Sequence, residues 1–307
     1  MNRFTLQNFT ALALKTLLLA ALSLTAVAET RDLIVVAGQS NAVGFDAYAE
    51  ELPENAGDAK TMFWWRVGDP PPDEFDSTSA RQWTHLQFQP RTESMSGEAA
   101  QKVGRQYGNF NKKSKGGFGP EIGMVRTLAS KENKALAVIK TAFSGTSVAG
   151  DWNVERPGEA DPCYRAMIDE AQEAVRLAKQ KGVTLQPRAF VWVQGESDAN
   201  AKDSPAYAAN LSKMLTKLRS DLGAPDMILL LGVNTRFGNG KNSFMPAVIE
   251  AQKQVAATQT RARYVDTEGA DTLPPSHTHF TAQGTLEIGR RFAEALLATE
   301  AALSKSR

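Results

Sequence analysis

The stretch Leu33-Ile34-Val35-Val36-Ala37-Gly38-Gln39-Ser40-Asn41 decides how the rest of the chain is read. Five consecutive aliphatic residues predict a strand covered on both faces, because a strand with one face in water would alternate. The glycine and polar triplet that follow mark its carboxyl end. Outward from there, Leu136–Ala142, Ala189–Val193 and Met227–Val233 have the same character, and Ala262–Val265 is a weaker fifth. Helical segments lie between them. Gly119-Pro120 opens one through Ile122, Val125 and Leu128, and Asp161-Pro162 opens another with Met167, Ala171, Ala174 and Ala178 on one face. Ser204-Pro205 opens a third with Leu211, Met214, Leu215 and Leu218, and a last helix follows Thr281 with Ile288, Phe292 and Leu296. A capping residue, proline in the first turn and glycine after the last (Gly182, Gly223) are the expected start and stop chemistry. Strands alternating with helices predict an α/β fold, a three-layer αβα sandwich around a mainly parallel sheet. Residues 45–117 carry Pro70-Pro71-Pro72 and no sustained period, and are read as a loop-rich insertion of the kind that shapes binding sites.

Residues 1–28 are read apart from the fold. Arg3 gives a basic start, a largely apolar run from Ala11 to Ala28 follows, and Ala26-Val27-Ala28 is the small-x-small pattern before a signal-peptidase cut. The apolar part after Lys15 is short of the roughly 20 residues that a bilayer span needs. An exported protein, periplasmic or extracellular, with one domain over residues 29–307, is therefore expected. The net charge of +1 offers no electrostatic case for nucleic acid or an anionic membrane. Cys163 is the only cysteine, so no intrachain disulfide forms, and its place on a predicted helix makes it a packing residue.

In open α/β sheets, ligands bind beyond the carboxyl ends of the strands. Polar loops follow every strong strand on that edge: Gly38-Gln39-Ser40-Asn41, then Ser144-Gly145-Thr146-Ser147 with Asp151-Trp152 beyond, then Gln194-Gly195-Glu196-Ser197-Asp198, then Asn234-Thr235-Arg236. A serine nucleophile needs a base in reach and a third group to orient that base. Only His85, His277 and His279 exist; His85 lies in the irregular insertion, which leaves the pair before the last helix. Spacing alone leaves Ser40 open between a nucleophile and a turn or cap serine. The block is not the Gly-x-Ser-x-Gly elbow, since Ala42 stands at the second glycine.

Five blocks in order carry a resemblance. Val35-Val36-Ala37-Gly38-Gln39-Ser40-Asn41 resembles the nucleophile block of the SGNH-hydrolase superfamily, in its sialate O-acetylesterase and acetylxylan-esterase branch, carbohydrate esterase family 6. Phe118-Gly119-Pro120-Glu121, Ser144-Gly145-Thr146-Ser147 with Trp152, Val191-Trp192-Val193-Gln194-Gly195-Glu196, and His279-Phe280-Thr281 with Gly284 and Arg290 resemble its other blocks. The resemblance covers about residues 32–295 and implies a flavodoxin-like SGNH hydrolase fold. It implies Ser40 as nucleophile, His279 as general base, and an oxyanion hole from the backbone N–H groups of Ser40 and Gly145 with the Gln194 amide. Gln39, Asn41, Trp152 and Asn234, in the loops at that edge, are the candidate substrate contacts; Trp64, Trp65 and Trp83 are further stacking candidates. The substrate implied is an acetylated carbohydrate, with no metal or organic cofactor.

One position departs from the family pattern. The usual Asp three residues before the histidine is Ser276 here. Glu196 is the first substitute for the orienting acid, Asp271 the second, and a serine–histidine dyad the third. A secreted carbohydrate-binding protein with impaired catalysis is the alternative that Ser276 supports; an esterase for non-sugar esters is a third.

Overall fold

The computed structural model describes residues 29–72, 75–92, 107–158 and 161–305; the predicted signal segment at 1–28 lies outside them. Six parallel strands form the sheet: β1 (Glu29–Gly38), β2 (Met62–Gly68), β3 (Leu136–Phe143), β4 (Val183–Val193), β5 (Ile228–Gly232) and β6 (Ala262–Tyr264). They lie in the order β6-β5-β4-β1-β3-β2. Two short strands, Ser77–Thr78 and Thr84–His85, extend it antiparallel on β2. The continuous aliphatic run of β1 has its expected cause: it pairs with β3 on one side and β4 on the other. Both of its faces are covered as well. Leu33, Val35 and Ala37 pack into one hydrophobic cluster, and Ile34 and Val36 into the other. The same alternation divides β4, with Phe190 and Trp192 on one side and Val191 and Val193 on the other.

Helices α3 (Pro162–Gln180), α4 (Tyr207–Asp221) and α5 (Met245–Thr258) cover the first face. Helices α2 (Glu121–Lys131) and α6 (Ala282–Lys305) cover the second and pack on each other. The three layers and the parallel sheet match the sequence expectation. Helix α5 was not anticipated, although Met245, Val248, Ala251, Gln252 and Val255 form its buried stripe.

The main difference lies in residues 45–117. This stretch was expected to be a loop-rich insertion, yet Met62-Phe63-Trp64-Trp65-Arg66-Val67-Gly68 is a strand of the main sheet, parallel to β3 at its outer side. Trp64 and Trp65 are therefore core residues, 0% and 4% exposed, and Trp83 packs edge-on against Trp64. None of the three faces the carboxyl edge as a stacking surface. Where the flavodoxin order sets the second strand beside the first, here β3 comes between them.

Beneath the loop that follows β1 lies a charged pair without solvent. Lys140 on β3 and Glu121 at the start of α2 are both 0% exposed and 2.9 Å apart. The Lys140 ammonium donates to Glu121 Oε1, to Gln89 Oε1 at 2.7 Å and to the Val43 carbonyl at 2.9 Å, so all three of its protons are used. Glu121 Oε1 also accepts from the backbone N–H of Gly119. This accounts for the Phe-Gly-Pro-Glu block: its glutamate is a buried anchor. Removing one partner of such a pair strands a charge in the core, whereas replacing both leaves none. Lys140→Met is expected to cost about 3–5 kcal/mol in urea unfolding, and Lys140→Met with Glu121→Leu less than Lys140→Met alone. A double variant as unstable as the single would contradict this account.

Candidate active site

Ser40 is placed by the way β1 ends. Gly38 leaves the strand at φ +142°, a conformation that L side chains rarely adopt, and a Cβ there would lie 2.1 Å from the Val193 carbonyl oxygen. The chain then turns into a single helical turn, α1 (Ser40–Val43), with Ser40 first. Gly44 in the left-handed region ends that turn and sends Phe45 and Asp46 back beside it.

His279 arrives from the segment before α6. Asn41 accepts from the Phe280 N–H at 3.0 Å and donates to the Thr278 carbonyl at 3.1 Å. Asn234 donates to the carbonyls of His277, at 2.8 Å, and Thr278, at 3.1 Å. Two buried amides thus hold the histidine turn by its backbone. In that position His279 Nε2 is 2.9 Å from Ser40 Oγ, and Nδ1 is 2.6 Å from Asp46 Oδ2. A carboxylate only accepts, so Nδ1 carries the proton and Nε2 presents its lone pair to the Ser40 hydroxyl. Phe45 flanks the imidazole with ring centroids 5.0 Å apart.

The acid in contact with the histidine is therefore Asp46, a residue the sequence reading did not single out. Burial works against its ionisation, but hydrogen bonds from His279 and from Asn111 Nδ2 (2.6 Å), with the nearby His279 and Lys113 charges, hold its carboxyl below the ordinary value of 3.8. Glu196, the first expectation, points elsewhere. Its Oε1 accepts from Asn41 Nδ2 at 2.7 Å and from the Asn234 N–H at 3.3 Å, and Oε2 is buried without a hydrogen bond among the described residues. Burial raises its pKa. Glu196 thus supports the two asparagines that hold the histidine turn. Asp271 accepts from Thr281 Oγ1 at the start of α6, Ser276 accepts from Thr278 Oγ1, and His277 Nδ1 meets Thr272 Oγ1. None of the three contacts the His279 ring.

The other expected residues divide. Gly145 lies at φ +67° on the same cavity as Ser40, with the Tyr107 ring 2.3 Å from where a Cβ would stand. Gln194 is a correction: its amide nitrogen is spent on the Thr146 carbonyl and Asp198 Oδ2 and its oxygen on Tyr207, so it faces the interior and not the oxyanion position. Trp152 is a second correction. It is fully buried, edge-on to Trp192, with its indole N–H on Thr146 Oγ1. Asn41 and Asn234, expected to touch substrate, are committed to the internal bonds described above. Gln39 keeps a place on the cavity: its oxygen accepts from the N–H groups of Gly195 and Ser197, at 3.4 and 3.2 Å, and its Nε2 makes no hydrogen bond among the described residues.

Asp198 fixes the glycine loop. It accepts from the backbone N–H groups of Val148 (2.9 Å) and Ala149 (3.1 Å) and from Gln194 Nε2 (2.6 Å). The cavity above Ser40 has a volume of about 360 Å³, within the range of small-molecule sites. Gln39, Ser144, Gly145 and Ser197 line it beside Ser40 and His279, and Phe45, Tyr107 and Phe237 give it aromatic walls. No group of three His, Cys, Asp or Glu side chains able to hold a metal occurs among the described residues.

Comparison with known proteins gives the fold and the family. A probable carbohydrate esterase of Arabidopsis thaliana is 23% identical over 185 residues, 59% of this chain and 64% of that protein, so the match spans just under two thirds of the relative. The crystal structure of that Arabidopsis protein superimposes with a TM-score of 0.61 at 17% identity, covering 87% of this chain and 98% of that one. NanS gives 0.59 at 17% identity, covering 91% and 99%. A carbohydrate acetylesterase from Xanthomonas citri gives 0.57 at 14%, covering 86% and 55%. These likenesses establish a shared fold. The family model described as carbohydrate esterase, sialic acid-specific acetylesterase matches residues 30–298, and this chain belongs to that family.

Proposed function

We propose that the protein is an exported serine esterase that removes O-acetyl groups from carbohydrate, with Ser40, His279 and Asp46 as its catalytic triad. The observation that carries this reading is the unbroken line from Ser40 Oγ to His279 Nε2 and from Nδ1 to Asp46. Ser40 Oγ attacks the ester carbonyl carbon as its proton passes to Nε2, and the Asp46 carboxylate stabilises the imidazolium. The resemblance assigns the oxyanion hole to the backbone N–H groups of Ser40 and Gly145, and the Gln39 amide nitrogen on the cavity wall is a further candidate donor. Collapse breaks the bond to the sugar oxygen, which takes the Nε2 proton and leaves as an alcohol. Water, deprotonated by His279, then releases acetate and restores Ser40. Membership of the carbohydrate esterase family supports the sugar, and the small-x-small pattern at residues 26–28 supports export. The binding-protein alternative drew its support from Ser276, and Asp46 at Nδ1 removes that support.

Hydrolysis of an aryl acetate and of an acetylated oligosaccharide tests the reading. Ser40→Ala, His279→Ala and Asp46→Asn are each expected to lower kcat by about three to four orders of magnitude. Ser276→Ala is expected to stay within about twofold of wild type, since an exposed hydroxyl off the imidazole contributes nothing to the transition state. Wild-type rates in Ser40→Ala would overturn the mechanism, and wild-type rates in Asp46→Asn would leave a dyad.

Asp198 gives a test by pH. Burial pushes its pKa up to about 6, against hydrogen bonds from Gln194, Val148 and Ala149 that favour the anion. The folded value lies above the ordinary 3.8, so the folded state takes up this proton first. The cost of its ionisation is absent below about pH 4, grows as pH rises through 6 and is constant above. The stability of Asp198→Asn relative to wild type is expected to shift in the variant's favour by about 2–3 kcal/mol between pH 4 and pH 7. Urea unfolding of both proteins across that range measures it, and a pH-independent difference would rule it out.

A further inference from the structure

The wall of the cavity over Ser40 carries a large apolar side chain to which the chemistry gives no part. Phe237, half-buried, packs against the hydrophobic cluster of the first sheet face and also lines the cavity. The other two aromatic residues of that wall are committed to the site itself: Phe45 lies against the His279 imidazole, and the Tyr107 ring covers Gly145. Phe237 follows β5, in the turn Phe237–Gly240, where Gly238, Asn239 and Gly240 lie in the left-handed region at φ +66°, +57° and +69°. Such a run persists only where its surroundings fix it. Here the Phe237 N–H donates to the Asn234 carbonyl at 3.3 Å, Gly240 to Arg236 at 3.0 Å and Asn239 to Ser276 at 2.9 Å.

The same bonds tie this turn to the histidine segment. Asn234 holds the His277 and Thr278 carbonyls and Asn239 the Ser276 carbonyl, so Phe237 and His279 are set relative to each other. In the sheet order β5-β4-β1-β3, the loop after β5 lies on one side of β1 and the Gly145 loop on the other. The leaving oxygen takes its proton from His279 Nε2, so the leaving alcohol lies on the His279 side of the ester, with the carbonyl oxygen toward Gly145. We infer that Phe237 selects a sugar as the leaving group: its ring is the platform on which the apolar face of the acetylated sugar stacks while the ester oxygen lies at His279. This rests on the reading of Ser40 as an esterase nucleophile. The face of an aromatic ring is slightly negative and sugar C–H bonds slightly positive, so the contact adds to the apolar area removed from water. A leaving alcohol without a ring gains little from it.

The test compares O-acetylated methyl xyloside with ethyl acetate, whose leaving group has no ring, in wild type, Phe237→Leu and Phe237→Tyr. Leucine keeps apolar packing without the ring face, and tyrosine keeps both. Phe237→Leu is expected to lower kcat/KM for the xyloside about tenfold, chiefly through KM, with ethyl acetate within about twofold of wild type. Phe237→Tyr is expected to keep the preference for the xyloside. No such preference in wild type, or one unchanged in Phe237→Leu, would overturn the platform and leave the esterase standing. So would an equal loss on both esters, which a merely structural role gives. Ethyl butyrate separates the acyl side: a gain of butyrate over acetate in Phe237→Leu, without selective loss on the xyloside, places the ring at the acyl group and also overturns it. If folded wild type cleaves neither ester, the esterase reading fails, and calorimetry with the xyloside decides. Binding about tenfold weaker in Phe237→Leu supports the platform, and equal binding, or none in wild type, overturns it.

Discussion

The Lys140 ammonium, dry and fully coordinated, is the constraint on which the rest of the site depends. It joins three separate parts of the chain to β3: the Val43 carbonyl at the end of α1, Gln89 from the segment after β2, and Glu121 at the start of α2. An ammonium buried in this way is tolerated only while each donor has its acceptor, so the three segments are held in one relative position. Ser40 and Asp46 flank Val43 in the chain, and their separation is thereby set from below.

A second layer of buried polar groups repeats the arrangement from the side. Glu196 faces Asn41 and Asn234, and those two amides hold the carbonyls and the N–H around His279. Asp198, two residues on, holds the loop that carries Gly145. The glutamate-containing block after β4 therefore positions the His279 turn and the Gly145 loop together.

The sheet was legible where burial on both faces leaves unbroken aliphatic runs, as in β1 and β5. It was illegible in β2, where two tryptophans and an arginine gave no clean period and triple proline nearby suggested a loop. That Ser40 and His279 meet could be read, because each lies in a local motif. Asp46 could not, since its contact with His279 depends on the reversal at Gly44 and on a base from the far end of the chain. One signal was present: an isolated carboxylate in the otherwise apolar run Ala42-Val43-Gly44-Phe45-Asp46-Ala47. Gln194, Asn41 and Asn234 were misassigned for a common reason. Polar residues at a sheet's carboxyl edge serve substrate or the loops themselves, and only the hydrogen-bond partners distinguish the two.

Ser40 and Asp46 travel on one short stretch, whereas His279 lies 239 and 233 residues away from them. During synthesis from the amino end, the serine and the aspartate emerge early and can take up their places while the imidazole does not yet exist. The hydroxyl stays an ordinary alcohol until α6 docks on α2 and brings the histidine turn down between Asn41 and Asn234. On the proposed triad, the order of the chain thus withholds the partner that would activate Ser40 until helix α6 has docked.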